Sequence, residues 1–425
     1  MLISYVNNIE FDYEEIQNKI EQHIKYNQVI CIDDFLQGYF NNKEYSDKDI
    51  KIIIEMIKGV IVNRNTDVKR MDVVGFNKSK TYMYKPEVEI KVIRSCMDLL
   101  GYIFSITMSE TVKSENIIAQ RKYSPSQMNK KSVLDITYPK ITKETEKLFY
   151  RGHSSANFEL IPSIFREEAW EQNESALYHN LITRCPSQFK DKKRHLDILQ
   201  EMQHYSLPTR LLDVTQSPLV ALFFATVDSL KYDGELVLFN SGDDTPKNSA
   251  SDTVELLCSL AALPEELQKK IYNDAVKYKG DFFGDSEKTI KEFSEKKSVK
   301  QLLHVIRLAV GNFESIINPK DLHGIQFVVP RQENDRIVRQ NGSFIICGLF
   351  GYEDNRKSLL INEYNTYRHK ENSKIIRFVI PSECKDGILY QLKSLGINKS
   401  TIYPEIDNVA NYLKENSKYT HRKTI

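Results

Sequence analysis

Three stretches concentrate the side chains able to do chemistry. In the first, Leu148-Phe149-Tyr150-Arg151-Gly152-His153, a guanidinium and an imidazole follow an aromatic pair. An arginine so placed can clamp a planar or phosphorylated anion, because its fork donates paired hydrogen bonds. A buried pair with a carboxylate such as Asp213 is the structural alternative. The second stretch, Met202–Ala225, crowds Gln203, His204, Thr209, Arg210, Asp213 and Thr215 together, more hydrogen-bonding groups than turn chemistry needs. His204 is the acid–base or ligand-contacting candidate, with helix capping as the plainer role. Asp213 and Thr215 can shape a pocket or cap a helix. The third stretch carries Glu333, Arg336 and Gln340 just before Asn341-Gly342.

The elements that must position these groups follow from local pattern. An aromatic pair before Arg-Gly reads as a strand ending at a turn. A helix ends near His204, Arg210–Val214 is strand-like, and Ser217-Pro218 supplies an N-cap and an N1 proline for an apolar helix through Val227. Gly324–Pro330 and Asn334–Ile346 read as two strands around a polar turn, the second carrying Arg336 and Gln340. Ile375–Ile380 is a further strand, followed by a helix near Gly387–Leu395.

Upstream, Ile16, Ile20 and Ile24 form the stripe of an amphipathic helix over 12–27, and a short helix follows around Ile32–Tyr39. Ser46–Asp49 resembles a capping box ahead of the apolar face Ile50, Ile53, Ile54, Ile57 and Ile61. Residues 68–74 and 79–85 predict a β-hairpin, and 87–106 a longer helix. Residues 1–108 are therefore a mostly helical module, with a winged-helix form suggested by the basic hairpin (Lys69, Arg70, Lys78, Lys80, Lys85), which could touch nucleic acid or a protein partner. Residues 109–145 are polar and read as a linker, leaving 146–425 as the main domain.

Composition removes several classes. The chain has 425 residues and a formal net charge of +1, which argues against a wholly nucleic-acid- or membrane-binding surface. The 6 cysteines are widely spaced, without a CxxC pair, and fit buried thiols in a reducing cytosol. The 9 histidines include no HxH or HxxxH pair, so no metal is expected. The longest apolar stretch, Cys96–Met108, contains Asp98 and is too short to span a bilayer. With an acidic start and no basic n-region, a cytoplasmic protein without membrane contact is expected.

Taken in order, Tyr150-Arg151-Gly152, Met202–Ala225, Arg336–Phe344 and Gly396–Asp407 resemble the FRG domain family, named for its (Phe/Tyr)-Arg-Gly motif. The resemblance implies an α+β fold. The block order is in turn similar to that of ADP-ribosyltransferases, which implies a split sheet flanked by helices. There, an arginine on the first strand grips NAD, matched by Arg151. A Ser-Thr-Ser-like strand runs into an apolar helix, matched by Asp213-Val214-Thr215 before Val220–Ala225. A catalytic glutamate lies on a later strand, and here Arg336 stands in its place, so Glu333 or Asp213 would have to substitute.

On that resemblance NAD or a related nucleotide is the substrate, ADP-ribosyl transfer or NAD cleavage the reaction, and an unidentified macromolecule the target. Arg151 would hold the phosphates or ribose, Gln340 or Glu333 orient the ribose hydroxyls, and His204 contact the base or move a proton. His153, Gln203, Arg210, Thr215 and Arg336 would complete the pocket, with Arg151, Asp213 and Gln340 facing one cavity. The implied role is a bacterial defence or toxin-like effector. Two other readings stand beside it: a catalytically silent nucleotide- or peptide-binding module, and a nuclease using His204, Arg210 and Asp213.

Overall fold

The computed structural model describes residues 3–6, 9–40, 68–74, 79–107, 148–241, 246–278, 287–349, 368–369 and 374–420. The expected linker at 109–145 and the capped helix after Ser46 lie outside these residues.

The chain opens with the hairpin β1 (Ile3–Val6) and β2 (Ile9–Asp12), then helix α1 (Tyr13–Asn27), β3 (Val29–Cys31) and α2 (Ile32–Phe40). Ile16, Ile20 and Ile24 are buried, as their spacing requires. The expected basic hairpin forms as β4 (Lys69–Val74) and β5 (Ser79–Tyr84), and it joins β3 in a three-stranded antiparallel sheet ordered β3-β5-β4.

The helix expected over 87–106 is a strand followed by a shorter helix. Val88, Ile90 and Val92 alternate in β6 (Val88–Val92), which pairs in parallel with β14 (Lys374–Ile380) of the main sheet; α3 covers only Cys96–Thr107. Pro86 disfavours a helical conformation just upstream, and β-branched residues suit the pleat. Val88–Val92 is thus a strand of the main sheet.

Among the described residues that sheet has nine strands, ordered β10-β11-β12-β8-β7-β9-β14-β13, with β6 beside β14. Its remaining members are β7 (Leu148–His153), β8 (Leu211–Thr215), β9 (Gly234–Asn240), β10 (Lys247–Asn248), β11 (Ile325–Val329), β12 (Gly342–Cys347) and β13 (Arg368–His369). The architecture is α+β, as expected. Strands β7 and β8, neighbours at its centre, are registered at one pair, Tyr150–Thr215.

One face of the sheet packs Phe149, Leu212, Val214, Val237 and Phe239 under Leu160, Ile161, Ile164 and Phe165. On this side, Val379 and Ile90 pack with Val29, Cys31 and Tyr82 of the N-terminal sheet. The opposite face carries two helical groups. Helices α4 (Glu174–Arg184), α5 (His195–His204), α7 (Asp252–Ser259), α8 (Glu265–Val276) and α9 (Lys297–Ala309) cover Leu211, Phe344 and Ile346. Helix α6 (Pro218–Thr226), with α3 and α11 (Lys385–Ser394), covers Tyr150, Leu236, Leu238 and Phe378. Ser217 caps α6 by accepting from Val220 N at 3.4 Å, with Pro218 in the first turn, as the sequence predicts.

Arg336 and Gln340 are not on a strand. They lie on α10 (Asp335–Gln340), which Asn334 starts by accepting from Arg336 N at 2.8 Å, and which Asn341 ends at φ 45°. A side-chain cap and a left-handed asparagine are enough to wind one short turn of helix between two strands. The helix α12 (Ile406–Thr420) closes the chain. Among the described residues no helix is long and apolar enough to cross a membrane. All six cysteines are free thiols, and only Cys185 is exposed.

Candidate functional site

Strand β8 runs Leu211-Leu212-Asp213-Val214-Thr215, and Asp213 is its one exposed residue. It lies on the helix-covered face and is exposed there, so a carboxylate opens to solvent at mid-sheet where the two helical groups adjoin, a place we call the cleft. His204, at the end of α5, is near enough to Glu405 of the closing segment to act on its carboxyl. That segment builds one wall of the cleft. Gln340 Nε2 donates to the Ile402 carbonyl at 3.2 Å, and Thr215 Oγ1 donates to the Gln340 carbonyl at 2.7 Å, which pins α10 and the closing segment to the end of β8. Tyr403 then packs its ring against Phe224 at 6.1 Å, and the Arg336 guanidinium lies 5.1 Å above the Tyr403 ring.

Glu405 completes this group, 3.9 Å from Arg336. Partial burial pushes its carboxyl up. Its own backbone N–H, the Asn408 amide, Arg336 and His204 outweigh that and hold it below the usual carboxylate range. Burial pushes the Tyr403 phenol up; Asp228, Glu405 and Asp213 add to this against Arg336. The cleft therefore brings two carboxylates, an arginine on an aromatic ring and an imidazole into one electrostatic neighbourhood.

Among the sequence candidates, His204, Asp213 and Arg336 meet here. Gln340 and Thr215 serve the wall by the bonds above, and Thr215 Oγ1 also accepts from Ser217 N at 3.0 Å. Gln203 accepts from Thr209 Oγ1 at 2.7 Å. Arg210 is 1 % exposed and forms a bidentate pair with Glu174, one arm at 2.8 Å, joined by Gln268 and the Cys347 carbonyl. Glu333 is exposed beside Arg331 at 3.6 Å.

Arg151 and His153 lie on the other face of the sheet, with Phe149. The cavity expected to be shared by Arg151, Asp213 and Gln340 is thus divided by the sheet. From its own face Arg151 donates through Nη1 to the Asp213 carbonyl at 2.5 Å. It satisfies a strand carbonyl that β7 leaves unpaired.

Glu405 was not singled out in the sequence, although it sits in the Gly396–Asp407 block that carries the resemblance. Among the described residues one set of metal-type ligands is close enough to share an ion: Cys31, Asp34 and Asp233. There the Lys80 ammonium already stands between the carboxylates, at 2.9 Å from Asp34 and 2.7 Å from Asp233.

Fold and site together define an α+β domain with a polar cleft at a mid-sheet carboxylate. Residues 146–234, which hold β7, the Met202–Ala225 stretch and Asp213, match the FRG domain family, and the chain contains an FRG domain. No curated protein and no solved structure matches the chain.

Proposed function

We propose that the cleft binds NAD or a related nucleotide and cleaves its N-glycosidic bond, passing ADP-ribose to water or to a macromolecular acceptor. The observation that carries this reading is Glu405, a carboxylate 3.9 Å from Arg336 that Arg336 and His204 help to draw below the usual carboxylate range, and that shares the surroundings of Tyr403 with Asp213. It supplies the acidic group that the sequence lacks where Arg336 stands.

The chemistry asks for these parts. The C1′–N bond breaks with its electron pair leaving on nicotinamide, and positive charge develops on the ribose. A fixed carboxylate nearby stabilises that charge. Glu405 and Asp213 are the two available. Water or an acceptor nucleophile adds at C1′, and its proton passes to the second carboxylate or to His204. Arg336, half exposed over Tyr403, offers a fork to the diphosphate.

The test mixes the full chain with NAD and follows nicotinamide release and ADP-ribose attachment. Glu405→Gln and Asp213→Asn are expected to lower turnover about 100-fold or more each, and Arg336→Ala to weaken binding. Saturable nucleotide binding without turnover supports a silent binding module instead. Cleavage of RNA or DNA with NAD left intact supports a nuclease.

A further inference from the structure

The guanidinium of Arg151 is the end of a polar row that crosses the sheet on the face opposite the cleft. Arg151 Nε donates to His153 Nε2 at 2.8 Å. That bond needs the lone pair of Nε2, so the ring proton sits on Nδ1, which faces Glu235 Oε2 at 3.4 Å. His153 and Glu235 are directly opposed on β7 and β9. Glu235, 0 % exposed, also takes both arms of Arg377 from β14, at 2.8 and 3.1 Å.

Two residues before Glu235, Asp233 receives three donors. Lys80 Nζ and Tyr82 OH from β5 donate to it at 2.7 Å each, and Ser382 N at 2.9 Å. Asp34 on α2 shares the same ammonium and accepts from Asp233 N at 3.0 Å. Gly234, between Asp233 and Glu235, is pressed against α6: a Cβ there would lie 2.2 Å from the Ala225 carbonyl oxygen. The entry to β9 is therefore held from both sides, by the N-terminal sheet and by the helix that lines the cleft.

We propose that Lys80 of the N-terminal sheet sets the position of Arg151, acting through Asp233, Glu235 and His153. Glu235 and His153 are positioning residues in this scheme. If the β4–β5 hairpin lifts away, Asp34 and Asp233 lose their shared cation while packed together. Buried carboxylates stripped of a cation repel and rehydrate, and the start of β9 must move. Glu235 and His153 move with it, Arg151 loses its Nε partner, and the Asp213 carbonyl at the cleft loses its donor. A macromolecule that binds the hairpin would in this way alter the cleft without entering it. The scheme goes beyond the nucleotide reading and holds for whatever ligand the cleft takes.

The test uses arginine-labelled full chain, with the Arg151 Nε–H resonance assigned by its loss in Arg151→Lys. Lys80→Met keeps the length of the side chain and removes its charge. It is expected to shift the Arg151 signal and speed its hydrogen exchange by about tenfold, with Glu235→Gln giving the same signature. Lys300→Met, which removes an exposed ion pair with Glu295, is the control and leaves the signal in place. An unshifted, equally protected Arg151 signal in folded Lys80→Met overturns the proposal. Should Lys80→Met fail to accumulate as folded protein, Asp34→Asn removes one partner alone, and an unchanged Arg151 signal there overturns it equally. No readout uses NAD, so a failure of the nucleotide reading and a failure of this coupling are seen separately.

Discussion

Gly152 lies against the backbone of Ala221, so close that a Cβ at this position would stand 1.9 Å from the Ala221 carbonyl oxygen and 2.7 Å from Ala225 N. The glycine of the Tyr-Arg-Gly motif therefore lets α6 rest directly on β7, and α6 in turn seats Tyr403 through Phe223 and Phe224. Both obstacles are backbone, so no rotamer change relieves them. Gly152→Ala is expected to cost ~3 kcal/mol or more, at the top of the overpacking range, read as a lowered urea midpoint or as loss of soluble protein. Gly387→Ala, in α11 with nothing within 4 Å, is the matched control. It is expected to stabilise by about 0.5–1 kcal/mol from helix propensity.

Arg210 and Glu174 give a second prediction. Arg210→Met leaves the Glu174 carboxylate buried without its cation, which is expected to cost about 3–5 kcal/mol. The double change Arg210→Met with Glu174→Leu removes both charges and recovers much of the loss. Urea unfolding of the three variants checks this. A single variant as stable as the parent would show that the pair is not buried in solution.

Much of the frame is legible in the sequence because it is encoded locally. Ser217-Pro218 announces its helix, Ile16, Ile20 and Ile24 announce theirs, and the β4–β5 hairpin is set by adjacent residues. Val88–Val92 is different. Its five residues share an apolar pattern with the helix that follows, and what makes them a strand is the distant β14. The Asn334–Asn341 segment fails for another reason. Its helix is too short to show a period, and only the two asparagines at its ends mark it.

The site is less legible than the frame. Asp213 and His204 could be picked out because a polar residue stands within an otherwise apolar strand and at a helix end. Which face of the sheet Arg151 and Asp213 take depends on strand parity. Arg151 shares a face with Phe149, and Asp213 does not share one with Val214. Glu405 looks like an ordinary acid in a closing segment until the Gln340–Ile402 bond brings it beside Arg336.

The two glutamates near the third stretch should separate cleanly. Glu333 is exposed and paired only with Arg331 among the described contacts that involve its carboxylate, so Glu333→Gln is expected to leave nucleotide turnover within about twofold of the parent. Glu405→Gln is expected to lower kcat far more than it changes KM, because the charge is needed where positive charge develops in the transition state. Equal losses in the two variants would remove Glu405 from the proposed role.

Acid should weaken the fold through the buried His153. Burial is the main force that pushes His153 down to about 4, with Arg151 and Arg377 adding to it against Glu235; burial likewise pushes His23 down to about 4. A histidine whose folded pKa is depressed binds fewer protons in the native state than in the unfolded one. Its contribution to stability is therefore complete above its ordinary value near 6.5, falls as pH drops from there towards 4, and changes no further below. At about 1.4 kcal/mol per pKa unit, His153 can account for as much as ~3 kcal/mol of that loss. Urea unfolding at a series of pH values is expected to show it, and His153→Gln, which cannot titrate, is expected to start less stable at pH 7 but to lose less between 6.5 and 4. An acid slope identical in parent and variant would mean that the folded protein takes up the second ring proton as readily as the unfolded chain does, so that neither burial nor the Arg151 Nε–H bond opposes it.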